Sequence, residues 1–293
     1  MRFTHFLAVD WSGAKGARQK GIALAIAQAK GGAPVPLPPP DPKGWARTEV
    51  LALLRELTTP TLVGLDLGIS LPFADAGAFF PEWDASPKDA RALWALIDRL
   101  CTDDPNLEAG GFVTHPEASR YFRHGKDAEG DRFLLPGAAT REGRFRVAET
   151  AQRSAGVRPV SNFNLVGAAQ VGKSSLTGMR MLHRLGGTVP VWPIDPLPES
   201  GSVVTEIYTS VAARLGGVTG AATKLRSYEA LNDALALLGS PPVKGKGAID
   251  DHSTDALLTA AWLRKVHGQS DLWHPPSLTA EVASTEGWTF GAL

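Results

Sequence analysis

Carboxylates interrupt three apolar stretches of this sequence, where a buried core would otherwise be expected. Asp10 ends the run HFLAVD, Asp66 lies within TLVGLDLGIS, and Glu206 lies within SVVTEIYTS. A carboxylate at the end of a buried strand costs free energy unless it is paired, hydrogen-bonded or bound to a metal. One such Asp is typical of a turn or a helix cap. Three strands that each deliver an acid indicate a shared site.

A fourth segment, DDHSTDALLTAAWL, places further acids at the start of a helix. Asp251 and Asp255 are four residues apart, so they project from the same face of that helix. Asp251 could also serve as a cap, because acids are favoured in a first helical turn. Asp255 lies one turn further in, and capping explains it less well. His252 could be a metal ligand, a proton carrier or an ordinary surface histidine.

The chemistry of these acids favours a hard divalent cation. Clustered carboxylates without neighbouring Cys or paired His suit Mg²⁺ or Mn²⁺ better than zinc. Such sites can hold two ions roughly 3.5–4 Å apart, which activate a water and stabilise the leaving oxygen in phosphodiester cleavage. We therefore expect Asp10, Asp66 and Asp255 to hold the metal, with Glu206 and Asp251 completing the site. The alternative is a non-catalytic binding module with the same fold.

A separate motif matches a phosphate-binding loop. The stretch VGAAQVGKSS has the pattern G-x-x-x-x-G-K-S from Gly167 to Ser174. A true P-loop joins a buried strand to a helix and needs a later strand that ends in an Asp for Mg²⁺. The nearest such stretch, VPVWPID, contains two prolines that disfavour a central strand. The motif could thus be a nucleotide-binding P-loop, the start of an insertion helix, or a helix start whose Lys173 contacts a nucleic-acid phosphate.

The middle of the chain carries a local excess of positive charge. Between residues 120 and 158, nine Lys and Arg face five Asp and Glu, and Phe122, Phe133 and Phe145 are interleaved. Basic groups with aromatic residues between them can bind phosphates and stack on unpaired bases. The candidate nucleic-acid contacts, for DNA or RNA, are Lys173, Arg141, Arg144 and Arg146. The alternative is a solvated loop region whose aromatic residues anchor it to the core.

Composition limits the class of protein but names no partner. The 293 residues contain 30 basic and 30 acidic residues, so the net charge predicts no binding partner. Cys101 is the single cysteine, which excludes an intramolecular disulfide and favours a reducing compartment. No apolar run approaches the roughly 18 residues of a membrane span. We expect a cytoplasmic protein without membrane contact; the oligomeric state is not indicated.

The elements that must position the acids follow from periodicity and turn residues. Short apolar runs predict strands at 5–10, 21–29, 61–70 and 202–210. Helical spacing predicts helices at 46–57, 86–100, near 170–185, 224–238 and 250–266. Ser86 and Pro87 suggest the N-cap and first position of the second helix. The Pro-rich stretch 31–44 predicts a loop with at most a short edge strand. This order is typical of an α/β fold.

Five stretches taken together resemble a known family. In chain order they read LAVDWSG, VGLDLGISLPF, VTEIYTSVAARLG, DDHSTDALLTAAWL and EGWTFG. They resemble the ribonuclease H-like proteins grouped as domain of unknown function 429, a family of predicted nucleases. The resemblance implies a mixed central sheet flanked by helices, with the first strand's Asp beside the acid of the fourth strand. It also implies a C-terminal helix that brings an acid to the same point, as in Holliday-junction resolvases.

Position by position, the resemblance assigns each acid a place. Asp10 matches the first-strand acid, Asp66 the acid after the long helix, and Glu206 the strand with the pattern E-x-Y. Asp251 and Asp255 match the C-terminal helix. The chain departs from the family where Thr209 stands in place of the usual proline. We expect one domain over residues 1–293, with 72–200 as a mostly helical and loop insertion.

Overall fold

The structure is a computed structural model that describes residues 2–138, 140–167, 171–215, 217–218 and 225–293. The strands are β1 (His5–Asp10), β2 (Ala23–Gln28), β3 (Val35–Leu37), β4 (Thr61–Asp66), β5 (Arg123–Gly125), β6 (Ala128–Glu129), β7 (Val191–Trp192) and β8 (Val203–Glu206). The helices are α1 (Arg47–Arg55), α2 (Ala90–Leu100), α3 (Gly110–Thr114), α4 (Val147–Ser154), α5 (Val171–Leu185), α6 (Thr209–Leu215), α7 (Tyr228–Leu237), α8 (Asp251–Val266), α9 (Ser270–Trp273) and α10 (Ala280–Thr285). Two short 3₁₀ turns cover Pro105–Leu107 and Ala118–Tyr121.

The core of the fold is a mixed sheet. Within the described residues it has six strands in the order β3-β2-β1-β4-β8-β7. Strand β2 runs antiparallel to β1 and β3, whereas β1, β4, β8 and β7 are mutually parallel. Helices flank this sheet, so the predicted α/β class with a mixed central sheet is confirmed. No helix in the described part of the chain combines the length and apolarity needed to cross a bilayer.

Burial on both faces explains why the central strands are almost wholly apolar. Leu7 and Val9 of β1 face a core shared with α1, α2 and α5. Phe6 and Ala8, which alternate with them, face a second core formed with α7 and α8. Alternate side chains of a strand point to opposite faces, so an apolar run without alternation fits a sheet covered on both sides. The sheet is therefore held rigidly between two helical layers.

Most predicted elements are present, with shifts at their ends. Helix α2 begins at Ala90, and its N-cap is Asp89, whose side chain accepts from the Ala92 N–H at 2.8 Å, so the proposed cap at Ser86 is wrong. The strand predicted over 202–210 ends at Glu206, and α6 then begins at Thr209. The Pro-rich stretch does contain a short edge strand, β3. Residue 224, the predicted start of the helix now seen as α7, lies outside the described residues.

The segment 72–200 is tied into the main fold. Its helices α2 and α5 pack against each other, and their buried side chains belong to the same core as β1 and β4. Its strand β7 pairs with β8 at the edge of the sheet. A separate two-stranded hairpin is formed by β5 and β6. In its described part the segment contains helices and loops, and it also contributes a strand to the central sheet.

Candidate functional site

Two of the predicted acids are direct neighbours at one edge of the sheet. Asp10 ends β1 and Asp66 ends β4, and the parallel register pairs these two residues with each other. Adjacent strands lie about 4.8 Å apart, so the two side chains start from neighbouring backbone positions. In open α/β sheets, ligands bind outside the carboxyl ends of parallel strands. The pair therefore lies where this architecture forms binding sites.

A cavity of about 350 Å³ opens at this edge. Four of the five predicted acids line it: Asp10, Asp66, Glu206 and Asp255. The fifth, Asp251, is the first residue of α8 and is not among the described residues that line the cavity. The N-cap of α8 is Asp250, which accepts from the Ser253 N–H at 2.8 Å. Of the two acids of α8, Asp255 therefore lines the cavity, whereas Asp251 lies at the start of the helix, next to the N-cap.

The environment of Asp66 shows that the acids interact. Burial raises the pKa of the Asp66 carboxyl well above its usual range, and the negative charges of Asp10 and Asp255 raise it further. Thr209 opposes part of this shift, because its N–H and its hydroxyl donate to the carboxylate at 3.4 and 3.1 Å. The charge of this site therefore favours uptake of a proton or of a cation.

His252 is a member of the site that the sequence left undecided. Its Nδ1 lies 2.8 Å from Oδ2 of Asp10. The Asp10 side chain is 9% exposed, whereas that of His252 is 43% exposed. A proton on Nδ1 would be donated to Asp10 and would leave Nε2 as the acceptor. Spacing alone could not reveal this contact, because 242 residues separate the two partners.

Glu206 differs from its expected role. Its two carboxylate oxygens accept from Nη1 and Nη2 of the buried Arg146 at 2.8 and 2.6 Å. The same carboxylate accepts from the Ile69 N–H at 2.8 Å and from the Thr289 hydroxyl. These bonds use the acceptor positions that a metal or a water would need. Glu206 lines the cavity, but its hydrogen bonds hold the loop after β4 in place.

Arg146 is likewise a buried structural residue, although it was expected to contact substrate. Its side chain is 1% exposed, and it also bonds Glu149, with Nε 2.8 Å from Oε1. Burial alone would lower the pKa of Arg146, but Glu149 and Glu206 raise it above its usual value, so the guanidinium stays charged. Glu286 extends this cluster by accepting from the Val147 N–H at 2.6 Å.

The other two candidate arginines of the insertion are also ion-paired. Arg144 is buried and donates from Nε to Asp75 at 2.9 Å and from Nη1 to the Phe79 carbonyl at 2.6 Å. Arg141 is exposed, yet its Nη2 lies 2.7 Å from Glu129. The expected solvent-facing basic surface formed by Arg141, Arg144 and Arg146 is therefore not the arrangement found. Burying an arginine is tolerable only with such partners.

The phosphate-loop motif leads into α5, whose first turn faces the cavity. Val171 and Ser174 line the cavity, whereas Lys173, although it lies on the same turn, is not among the described residues that line it. A Cβ placed on Gly13 would lie only 2.4 Å from the backbone at Lys173 and Ser174, so the loop after β1 packs tightly on this turn. Residues 168–170 lie outside the described residues.

The context that a P-loop needs is not found in the described part of this region. Residues 161–167 form turns and a single bridge pair before α5 instead of a strand. Asp195, the expected partner acid, pairs with Arg91 and accepts from the Val191 N–H at 2.8 Å. Its strand, β7, has two residues and lies at the edge of the sheet. From Val171 onward, the described part of this stretch is the start of α5.

The donor set can be tested against a divalent cation. Among the described residues, no three or more His, Cys, Asp or Glu side chains form a group that could hold a metal ion. Mg²⁺, however, keeps several waters and is usually bound through one or two carboxylates together with substrate phosphate. The paired, all-oxygen Asp10 and Asp66 fit that mode of binding. Asp255 adds a third carboxylate to the same cavity.

Comparison with known proteins identifies no family for this chain. No protein-family model matches the chain, and no curated protein or solved structure matches it significantly.

Proposed function

We propose that this chain is a metal-dependent phosphodiester hydrolase with a ribonuclease H-like fold. The observation that carries the proposal is the register pair of Asp10 and Asp66, with Asp255 lining the same cavity from α8. Three carboxylates from separate elements are costly to gather unless a cation or a proton compensates them. The raised pKa of Asp66 shows this cost, because burial and the charges of Asp10 and Asp255 disfavour its ionised form.

The strand arrangement supports the fold assignment. The family resemblance implied a mixed sheet with the first strand's Asp beside the acid of the fourth strand, and Asp10 and Asp66 have that relation. It also implied an acid from a C-terminal helix at the same point, and Asp255 of α8 lines the cavity. The nucleic-acid substrate is the class that the resemblance suggests.

In the proposed reaction, Asp10 and Asp66 would hold Mg²⁺ or Mn²⁺, with Asp255 lining the same cavity. The ion would supply Lewis-acid stabilisation of the phosphate oxygens and lower the pKa of a bound water. His252 orients the Asp10 carboxylate through Nδ1, and its side chain is partly exposed. The first turn of α5 carries the partial positive charge of a helix N-terminus, which favours a phosphate in the cavity. Glu206 and Arg146 keep the loop after β4 in position.

The test compares the wild type with Asp10→Asn in Mn²⁺-dependent hydrolysis of bis(p-nitrophenyl) phosphate and of a mixed DNA and RNA pool. Even outer-shell changes at metal sites cost about 10–100-fold, so we expect Asp10→Asn to lower the rate by about 100-fold or more. Asp103→Asn, at an exposed position, is the matched control and should keep the full rate. Equal rates for Asp10→Asn and the wild type would refute the proposal.

A further inference from the structure

The basic stretch of the insertion is neutralised by the fold. Of its nine Lys and Arg, seven form ion pairs among the described residues: Arg120, Arg123, Arg132, Arg141, Arg144, Arg146 and Arg153. Four of their acidic partners come from outside the stretch 120–158, namely Asp75, Glu82, Glu117 and Glu206. These four acids cancel the excess of four positive charges that the sequence shows over this stretch.

This pairing disfavours a polymeric substrate. Binding of a nucleic acid chain draws on Lys and Arg that replace counterions at about 6–10 phosphates. Specific complexes with DNA typically bury about 1,000–2,500 Å² of protein surface. An arginine already paired with a carboxylate adds no net positive charge to attract a phosphate. Two of the seven, Arg144 and Arg146, are also buried beneath the surface.

The cavity has the dimensions of a small-molecule site. Its volume of about 350 Å³ lies near the lower end of the roughly 300–1,000 Å³ found for ligand pockets. Besides the carboxylates, its lining includes apolar groups from Pro159, Val160 and Val171 and the ring of Tyr208. The half-buried ring of Tyr208 offers a surface on which a planar group can stack. The lining thus offers both carboxylates and an aromatic surface for a base or another ring.

We propose that the substrate is a phosphodiester of about the size of a single nucleotide, instead of a nucleic acid chain. Its phosphate would lie between the carboxylates and the first turn of α5, and its base or other ring would lie against Tyr208. Water would add across one ester bond: the water oxygen binds phosphorus, the P–O ester bond breaks, and the leaving alcohol takes a proton. This inference rests on the proposed hydrolase function.

The experiment compares three substrates with Mn²⁺ present: thymidine 5′-(p-nitrophenyl) phosphate, a single-stranded 20-mer and its duplex. We expect the small ester to have the highest kcat/KM, changing less than threefold between 50 and 200 mM salt. Stacking on an aromatic side chain contributes about tenfold or more per base. Tyr208→Ala should therefore raise KM for the ester by about that factor. Lys126→Glu, on the hairpin of β5 and β6, should leave hydrolysis of the ester unchanged.

Two results would overturn the inference in different ways. Faster cleavage of the 20-mer or duplex, with a loss of about 10³-fold or more between 50 and 200 mM salt, would identify a polymer substrate while keeping the hydrolase function. A drop in that cleavage with Lys126→Glu would strengthen the same conclusion. Failure to hydrolyse any of the three substrates would refute the hydrolase proposal itself.

Discussion

Removal of the Arg146 guanidinium should destabilise the fold far more than removal of any exposed arginine. In Arg146→Met the side chain keeps much of its apolar volume, but Glu149 and Glu206 lose their shared cation. Both carboxylates are only 5% exposed, so two buried negative charges would face each other. Breaking one buried pair costs about 3–5 kcal/mol. We expect a loss at the upper end of that range, because two acids are left without their cation.

That loss is large relative to the total stability of a domain, which is about 5–15 kcal/mol. Each kcal/mol lowers Tm by about 2–4 °C in domains of 150–250 residues, so Tm should fall by roughly 10 °C or more. The loss should shrink as pH falls, because burial raises the pKa of the Glu149 carboxyl and favours its protonation once its cation is gone. Arg146→Met thus has two measurable consequences, the size of the stability loss and its dependence on pH.

The assay is urea unfolding followed by tryptophan fluorescence and circular dichroism, at pH 7.5 and pH 5. Arg141→Met is the matched control, because its side chain is 77% exposed and its pair with Glu129 should contribute less than about 1 kcal/mol. The triple variant Arg146→Met, Glu149→Gln and Glu206→Gln removes all three charges and should recover at least half of the loss. If Arg146→Met unfolds within 1 kcal/mol of Arg141→Met, the buried ion pair does not stabilise the fold as reasoned.

Two further predictions concern the site itself. Burial and the charges of Asp10 and Asp255 raise the pKa of Asp66, so the folded chain retains a proton that the unfolded chain has lost. The free energy of unfolding, measured in EDTA, should therefore decline as pH rises through that raised pKa. Asp66→Asn should reduce this decline and should be more stable than the wild type at pH values above the raised pKa. An unchanged slope in the variant would contradict this sign. Gly13→Ala places a Cβ against the first turn of α5 and should lower hydrolysis by about tenfold, since displacement of a site by 1 Å can cost more than that. Gly268→Ala, with open space around it, should not change the rate, and equal rates for the two variants would refute the proposed contact.

The secondary structure was largely readable from the sequence because its determinants are local. The apolar run at 5–10 and the helical pattern at 250–266 correspond closely to β1 and α8. The start of α2 was harder to predict, since Ser86 and Asp89 can both cap a helix and only the backbone geometry selects Asp89. Strand β7 could not be predicted from its two residues, because it forms only by pairing with β8.

The site was predictable to the extent that its residues end adjacent strands. Asp10 and Asp66 close two buried runs, and adjacency of parallel strands brings such ends together. The role of Glu206 was not predictable, because its partner Arg146 lies 60 residues away in the insertion. The charge count over residues 120–158 also could not show that the basic stretch is neutralised. Acids such as Asp75 and Glu82 lie outside that range in the sequence and come into contact with its arginines only in the folded chain.

The most direct test of the metal proposal is a crystal structure soaked in Mn²⁺ and measured at a wavelength that detects its anomalous scattering. We expect an anomalous peak in the cavity, bound by Asp10 and Asp66 and close to Asp255, and we expect Asp10→Asn to remove that peak. A wild-type crystal at millimolar Mn²⁺ with no anomalous peak between these carboxylates would contradict the metal proposal.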